Sequence, residues 1–359
     1  MRTQSQVLLS KIRNILIVRF SSIGDIVLTT PLVRAVRKRF PQARIDFVTK
    51  QEVAELMQTN PYLDTVYVYD KPTGMRGLLS LARRLRCNHY DLFIDIHKNL
   101  RTYLFRFFSH PNQIVAYSKQ IFNRTLLVNM GINRYNEILQ VPERYLKPLQ
   151  PFGVVNDEKG LELFPTEAHI TKVNAIFEHE KLAEDELAIG LSPLAAHPLK
   201  QWPSERFVEL GRQFVEIYGA RILLFGGSKE LQGVKQIARQ IPNDPIILCE
   251  KLSLLESAAA VQRCAVFVGN DTSMIHIAAA MQRTVVVLFG PTVEEFGFYP
   301  YRTQSIVISK PLPCRPCTHT GKGKCKISTH ACMQEITVEE VFQAVDQLLK
   351  KDPKGFESP

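Results

Sequence analysis

No apolar run in this 359-residue chain approaches the ~20 residues needed to cross a bilayer. A membrane-spanning helix is therefore not expected. The first apolar run, Ile15 to Val18, follows Lys11 and Arg13 and leads to Arg19 without a small-residue cleavage site. That excludes an ordinary signal peptide and predicts a cytoplasmic protein. No repeat of 20 to 50 residues and no low-complexity tract is present, which argues against solenoids and disordered linkers. The chain also lacks the G-x-G-x-x-G fingerprint and the G-x-x-x-x-G-K-[ST] loop, so neither standard phosphate loop is available. Acids are scarce in one stretch: between Arg76 and Lys147 there are 12 Lys/Arg against 4 Asp/Glu. With a net charge of +10 overall, this points to an anionic partner for that region: nucleic acid, lipid head groups or a phosphorylated glycan.

Hydrophobic content of 45% and charged content of 22% are those of a globular protein. The length suits two domains. Of seven cysteines, Cys314, Cys317, Cys325 and Cys332 fall at C-x2-C-x7-C-x6-C. A second metal-knuckle pair is missing, so these four are weak metal candidates, and disulfides are not expected in a cytosolic chain.

Apolar strand-like runs alternate with helical periodicity, which predicts α/β architecture with mostly parallel sheets. Strands are expected at Asn14–Phe20, Arg44–Thr49, Thr65–Tyr69, Asp91–Ile96 and Ile114–Tyr117. The pattern loosens from Pro148 to Asp185 and restarts at Leu187–Leu191, Arg221–Phe225, Pro245–Leu248, Ala265–Val268 and Thr284–Phe289. The expected division is 1–180, 181–335, and a C-terminal helix and tail at 336–359: two Rossmann-like doubly wound domains facing a cleft. Ligands in such sheets lie off the carboxyl ends of strands.

Four strand-end segments can carry chemistry. Gly269-Asn270-Asp271-Thr272-Ser273-Met274-Ile275-His276 runs from a strand into an Ala-rich helix. Backbone N–H groups and the helix dipole there suit a phosphate, with Asp271 beside them for a sugar hydroxyl. Ser21-Ser22-Ile23-Gly24-Asp25 reads as a tight loop with one acid, a general base or a helix cap. Lys200, in His197-Pro198-Leu199-Lys200-Gln201-Trp202, is a mobile cation able to neutralise a leaving diphosphate or an ordinary surface lysine. Gly226-Gly227-Ser228-Lys229-Glu230 is a further strand-end loop. His97, with Lys98 and Arg101, suggests an anion-binding rim. Trp202 is expected to pack rather than to act. Tyr103 to Phe108 reads more readily as a core helix than as a lipid-facing one.

These segments resemble the bacterial heptosyltransferases of lipopolysaccharide core synthesis, glycosyltransferase family nine. The likeness runs through Ile15 to Pro31, Tyr90 to His97, Arg144-Tyr145-Leu146, Lys200 to Pro203, Gly269 to Ala280 and Leu288 to Thr292. It implies a glycosyltransferase B-type fold and inverting, metal-independent transfer without a cofactor. It implies an ADP-heptose donor and a lipid A–core acceptor, with the enzyme peripheral at the inner face of the cytoplasmic membrane. Asp25 would be the base and Lys200 would hold the diphosphate. Asp271, Thr272, Ser273 and His276 would surround the donor with Gly226 and Gly227. Ser21, Ser22, Gly24, His97, Lys98 and Arg101 would face the acceptor. Ser273 stands where the family usually has glycine. The alternatives are another nucleotide-sugar donor, an epimerase that turns over donor alone, or a nucleic-acid or metal-binding module. The last leaves the Asp25 and Asp271 segments without a purpose, so no nucleic-acid partner is expected.

Overall fold

The computed structural model describes residues 11–351. The described chain divides into two compact units: residues 11–119 with 141–159, and residues 120–140 with 160–351.

The first unit is a parallel sheet of β1 (Asn14–Val18), β2 (Arg44–Lys50), β3 (Thr65–Tyr69), β4 (Leu92–Asp95) and β5 (Gln113–Ala116), in the order β3-β2-β1-β4-β5. β1 is central, covered on both faces, and reads as an unbroken apolar run for that reason. Ile15, Leu16, Ile17 and Val18 are fully buried, each contributing about 1.5–3 kcal/mol. Among its helices are α1 (Ile23–Val27), α2 (Thr30–Arg39), α3 (Gly74–Arg86) and α4 (Leu100–Ser109). Pro31 stands in the first turn of α2, where its missing N–H is tolerated, and Arg37, Lys38 and Arg39 lie in the last turn, where the dipole favours cations. Leu78, Leu81 and Leu85 of α3 and Phe105 of α4 pack with Leu16, Val18, Phe20 and Phe93.

Residues 141–159 return to this unit by specific contacts. Arg34 makes a two-pronged pair with Asp157, both bonds 2.8 Å. Arg39 Nε donates to the Phe152 carbonyl at 2.9 Å.

The second unit begins with α5 (Ile121–Met130) and α6 (Glu167–His179). Its parallel sheet has β6 (Ala188–Ser192), β7 (Arg221–Leu224), β8 (Ile246–Ile247), β9 (Val266–Asn270), β10 (Thr284–Phe289) and β11 (Ser305–Ser309), ordered β11-β10-β9-β6-β7-β8. Around it lie α7 (Ser204–Tyr218), α8 (Leu254–Gln262), α9 (Ser273–Ala280) and α10 (Val338–Lys351). Trp202 is buried in the core with Phe207 and Phe214, and its indole N–H donates to the Ile336 carbonyl at 3.0 Å. Phe342 of α10 stacks on Phe214 and Tyr218, each at 5.7 Å.

Both sheets match the expected doubly wound pattern. The sequence boundary at 180 differs from the structural division. α6 packs on α8 through Lys172 and Glu256, 2.8 Å apart, and Gln282 holds the Leu161 carbonyl at 2.9 Å, so residues 160–180 pack with the second unit. α5 and β11 are elements the periodicity did not reveal. Within the predicted segment 336–359, α10 is a helix, and 352–359 lies outside the described residues.

Candidate functional site

In each sheet the strand order reverses beside the first strand of the unit: between β1 and β4, and between β6 and β9. In open parallel sheets ligands lie beside such a point, off the carboxyl ends of the strands.

At the first switch point the organising residue is Arg19, which follows β1 and is 6% exposed. Its Nε donates to the Ser21 carbonyl at 2.9 Å and Nη1 to the Ile96 carbonyl at 2.5 Å, so it ties the loop after β1 to the loop after β4. Nη2 pairs with Asp25 Oδ1 at 2.7 Å. The other carboxylate oxygen of Asp25 accepts from the Ser22 N–H at 3.0 Å and the Ser22 hydroxyl at 2.8 Å. Asp25 and Gly24 lie within α1 rather than in an open loop, with Ser22 as the N-cap and Asp25 in the first turn. Burial raises the Asp25 pKa, but the Arg19 charge and the two Ser22 hydrogen bonds outweigh it and hold the carboxyl below its ordinary value.

Asp95, the last residue of β4, shapes the neighbouring loop. Its Oδ1 accepts from the backbone of His97 at 3.1 Å and Lys98 at 2.6 Å, and its Oδ2 from the Thr102 hydroxyl at 2.7 Å. His97 packs edge-on against Phe20 at 5.2 Å. Its pKa is lowered to about 3 by burial, with Arg19 and Lys119 adding to the effect. The anion rim expected at His97 therefore has no imidazolium near neutral pH. His97 Nδ1 is buried without a hydrogen-bond partner among the described residues. Lys98 is exposed, and the Arg101 guanidinium lies 5.9 Å from the Tyr69 ring centre.

At the second switch point Lys200 Nζ meets Asp271 Oδ2 at 2.5 Å, the two side chains being 15% and 8% exposed. The sequence reading treats Lys200 as a mobile cation; here it is enclosed and paired. The Thr292 hydroxyl donates to the same Asp271 oxygen at 3.1 Å. Asn270 staples the two strand-end loops together, accepting from the Trp202 N–H at 2.9 Å and donating to the Pro193 carbonyl at 2.8 Å. Thr272 is the N-cap of α9, and its hydroxyl is buried without a hydrogen-bond partner among the described residues. Ser273 is the first residue of α9, and His276 is buried with its ring 6.5 Å from Phe298. An N-cap hydroxyl and helix N–H groups beside a confined Lys–Asp pair can bind an anion and orient neighbouring hydroxyls.

Gly226 and Gly227 sit on the same sheet's rim, after β7. The Gly227 N–H donates to Glu230 Oε2 at 2.7 Å, so a carboxylate already occupies that amide.

Among the described residues no group of three or more His, Cys, Asp or Glu is placed to hold a metal ion. Cys332 packs in the apolar core beside Met333 and Ile336. The cysteine segment braces the Lys200 loop. His330 Nε2 lies 2.7 Å from the Leu199 carbonyl. The Cys317 N–H donates to the Pro291 carbonyl at 3.2 Å, and Arg315 Nη2 to the Thr292 carbonyl at 2.8 Å. A Cβ on Gly321 would stand 2.7 Å from Lys200 Cγ.

Arg19, Asp95 and Asn270 are the organising residues that sequence reasoning missed. Their available signal was a polar side chain at, or one residue beyond, the end of a buried strand.

Comparison with known proteins follows the same lines. The family model for glycosyltransferase family 9 (heptosyltransferase) matches residues 78–327. Lipopolysaccharide heptosyltransferase 3 of Escherichia coli K12 is 25% identical over 92% of this chain and 96% of its own. The glycosyltransferase family 9 structure from Veillonella parvula superposes with a TM-score of 0.81 at 24% identity, covering 94% of this chain and 98% of that one. The E. coli structure described as ADP-heptose lps heptosyltransferase II gives 0.73 at 21% identity, over 95% and 99%. The two doubly wound sheets thus form the B-type glycosyltransferase fold, and the chain belongs to glycosyltransferase family 9, the heptosyltransferases.

Proposed function

We propose that this glycosyltransferase moves heptose from ADP-heptose to the anionic lipid A–inner-core glycolipid with inversion, working peripherally at the inner face of the cytoplasmic membrane. The observation that carries this reading is the Lys200–Asp271–Thr292 cluster beside the N-cap of α9. It supplies a cation and helix N–H groups for a diphosphate and a carboxylate for a sugar. The relative described as acting with ADP-heptose shares the fold.

In the proposed mechanism the acceptor hydroxyl gives its proton to Asp25 as its oxygen attacks the anomeric carbon of the donor. The bond from that carbon to the diphosphate oxygen breaks on the opposite face, and its electron pair leaves with ADP. Lys200 and the α9 N-terminus stabilise the charge that develops there. Arg19 keeps Asp25 ionised and oriented, and the unpartnered His97 Nδ1 is available to a hydroxyl of the acceptor. The test is transfer from ADP-heptose to purified truncated lipid A–core acceptors. If the protein binds neither ADP-heptose nor ADP, the donor assignment is wrong.

The ionisation of Asp25 sets a pH expectation. A depressed carboxyl stays charged above its folded pKa and loses the charge only as pH falls through it. The acid limb of kcat/KM assigned to Asp25 therefore lies below the ordinary carboxylate range. Replacing Arg19 with Gln removes the main lowering influence and leaves the burial that raises the pKa. The limb should then move to higher pH, and an unmoved limb in the variant's pH–rate profile would refute the assignment.

The bracing segment gives a second expectation. Gly321 and Gly323 both have positive φ, +86° and +102°, but only Gly321 lies against Lys200; among the described residues nothing lies within 4 Å of a Cβ at Gly323. Gly321→Ala should weaken ADP binding about tenfold, the order of one misplaced charge-assisted contact, while Gly323→Ala changes it little. Equal losses by calorimetry would reduce the effect to backbone strain alone.

A further inference from the structure

The helix α4 buries one face and leaves the other bare. Thr102, Phe105 and Ser109 are buried. Leu100, Tyr103 and Phe107 are 86%, 48% and 70% exposed. Their spacing of three and four residues puts them on one stripe. The sequence reading favoured a core helix here; half of the helix is core and half is not.

The surroundings of the stripe are cationic. α3 packs against α4. Arg101 lies over the Tyr69 ring and the Tyr69 hydroxyl donates to the Gly74 carbonyl, so the N-terminal ends of the two helices both reach Tyr69. Met75, in the first turn of α3, is 62% exposed. The two helices carry Arg76, Arg83, Arg84, Arg86, Arg101 and Arg106 and not one Asp or Glu. The Arg106 guanidinium sits 5.0 Å from the Tyr103 ring centre, beside the apolar stripe.

We infer that the exposed face of α4, flanked by the arginines of α3, is the surface by which this protein seats on an anionic phospholipid bilayer. An amphipathic helix with bulky apolar residues on one side and arginines around them binds in the plane of the interface, driven by apolar burial and attraction to anionic head groups. Leu100 and Phe107 enter the acyl boundary, Tyr103 stays at head-group level, and the arginines meet phosphate. A second copy of the chain fits less well, because two such faces would bring together helices rich in arginine with no acid on either. The inference rests on the proposed lipid-linked acceptor for its purpose, but the binding itself involves neither donor nor acceptor.

The experiment is co-sedimentation of the full chain with vesicles of phosphatidylethanolamine and phosphatidylglycerol, and with phosphatidylcholine alone. The parent should partition onto the anionic vesicles and leave them as salt rises. Leu100→Ser with Phe107→Ser should lower that partitioning about tenfold or more while ADP binding stays at the parent level. Arg76→Glu with Arg83→Glu should lower it at low salt, and Phe107→Trp should retain it. No preference for anionic vesicles, or undiminished binding by the serine pair, would overturn the inference. A parent dimer by light scattering that the serine pair abolishes would overturn it in favour of self-association. Absence of transfer activity with vesicle binding intact would indict the functional reading and leave the surface standing.

Discussion

Asp25→Asn is expected to lower kcat roughly 10²–10⁴-fold, the range for losing a positioned general base, while ADP-heptose binds as in the parent. The substitution keeps the volume and the ability to accept hydrogen bonds from Ser22, so α1 retains its first-turn contact. What it removes is the partner of Arg19 and the charge that takes the acceptor proton in the proposed mechanism. Arg19 is 6% exposed and retains the Ser21 and Ile96 carbonyls, so its guanidinium is not left wholly unsatisfied. Single-turnover transfer together with a donor-binding titration separates the outcomes. Loss of kcat with unchanged donor affinity supports the base, and near-parental turnover refutes it. A fall in both would mean that the substitution had damaged more than proton transfer.

Lys200→Ala is the second large effect. With Lys200 on the diphosphate as proposed, removing one preorganised electrostatic donor from a developing oxyanion costs about 10²–10³ in rate, and ADP affinity should fall with it because the diphosphate is present in ground and transition states alike. The substitution also strands Asp271, 8% exposed, with Thr292 as its remaining described partner. Breaking a buried pair costs roughly 3–5 kcal/mol, and the 15% exposure of Lys200 places this one toward the low end. A control distinguishes chemistry from folding. Lys200→Met with Asp271→Asn removes both charges, so it should recover stability by thermal unfolding and remain inactive. Full ADP affinity in Lys200→Ala would remove Lys200 from the diphosphate site.

Much of the fold was legible because the central strands are covered on both faces and so are written as apolar runs. Ile15 to Val18 and Val285 to Phe289 are examples, all buried. Elements outside that rule escaped. β11 is only partly buried throughout, and α5 exposes Ile121, Phe122 and Met130, which blurs its helical period. Within the sites, the loops were legible as strand ends followed by polar or small residues. The pairing was not. Lys200 and Asp271 are distant in sequence and meet only because β6 and β9 are neighbours in the sheet. Asn270 was visible as a letter in the motif, but its role in joining two loops depends on the same adjacency. The bracing of Lys200 by Gly321 and His330 was hidden for another reason. Cysteine spacing drew attention to the thiols, whereas the residues between them make the contacts.

The two units are interleaved along the chain, since residues 120–140 belong to the second and 141–159 return to the first. No single cut can therefore yield two intact halves. A fragment ending at 119 lacks the partner of Arg34, and one beginning at 160 lacks α5, whose Val128 carbonyl holds the Lys326 ammonium. Split-protein complementation at either point would return pieces with exposed apolar faces. An exchange of first units between relatives would have to graft that unit as two separate stretches, leaving the intervening excursion with its own sheet.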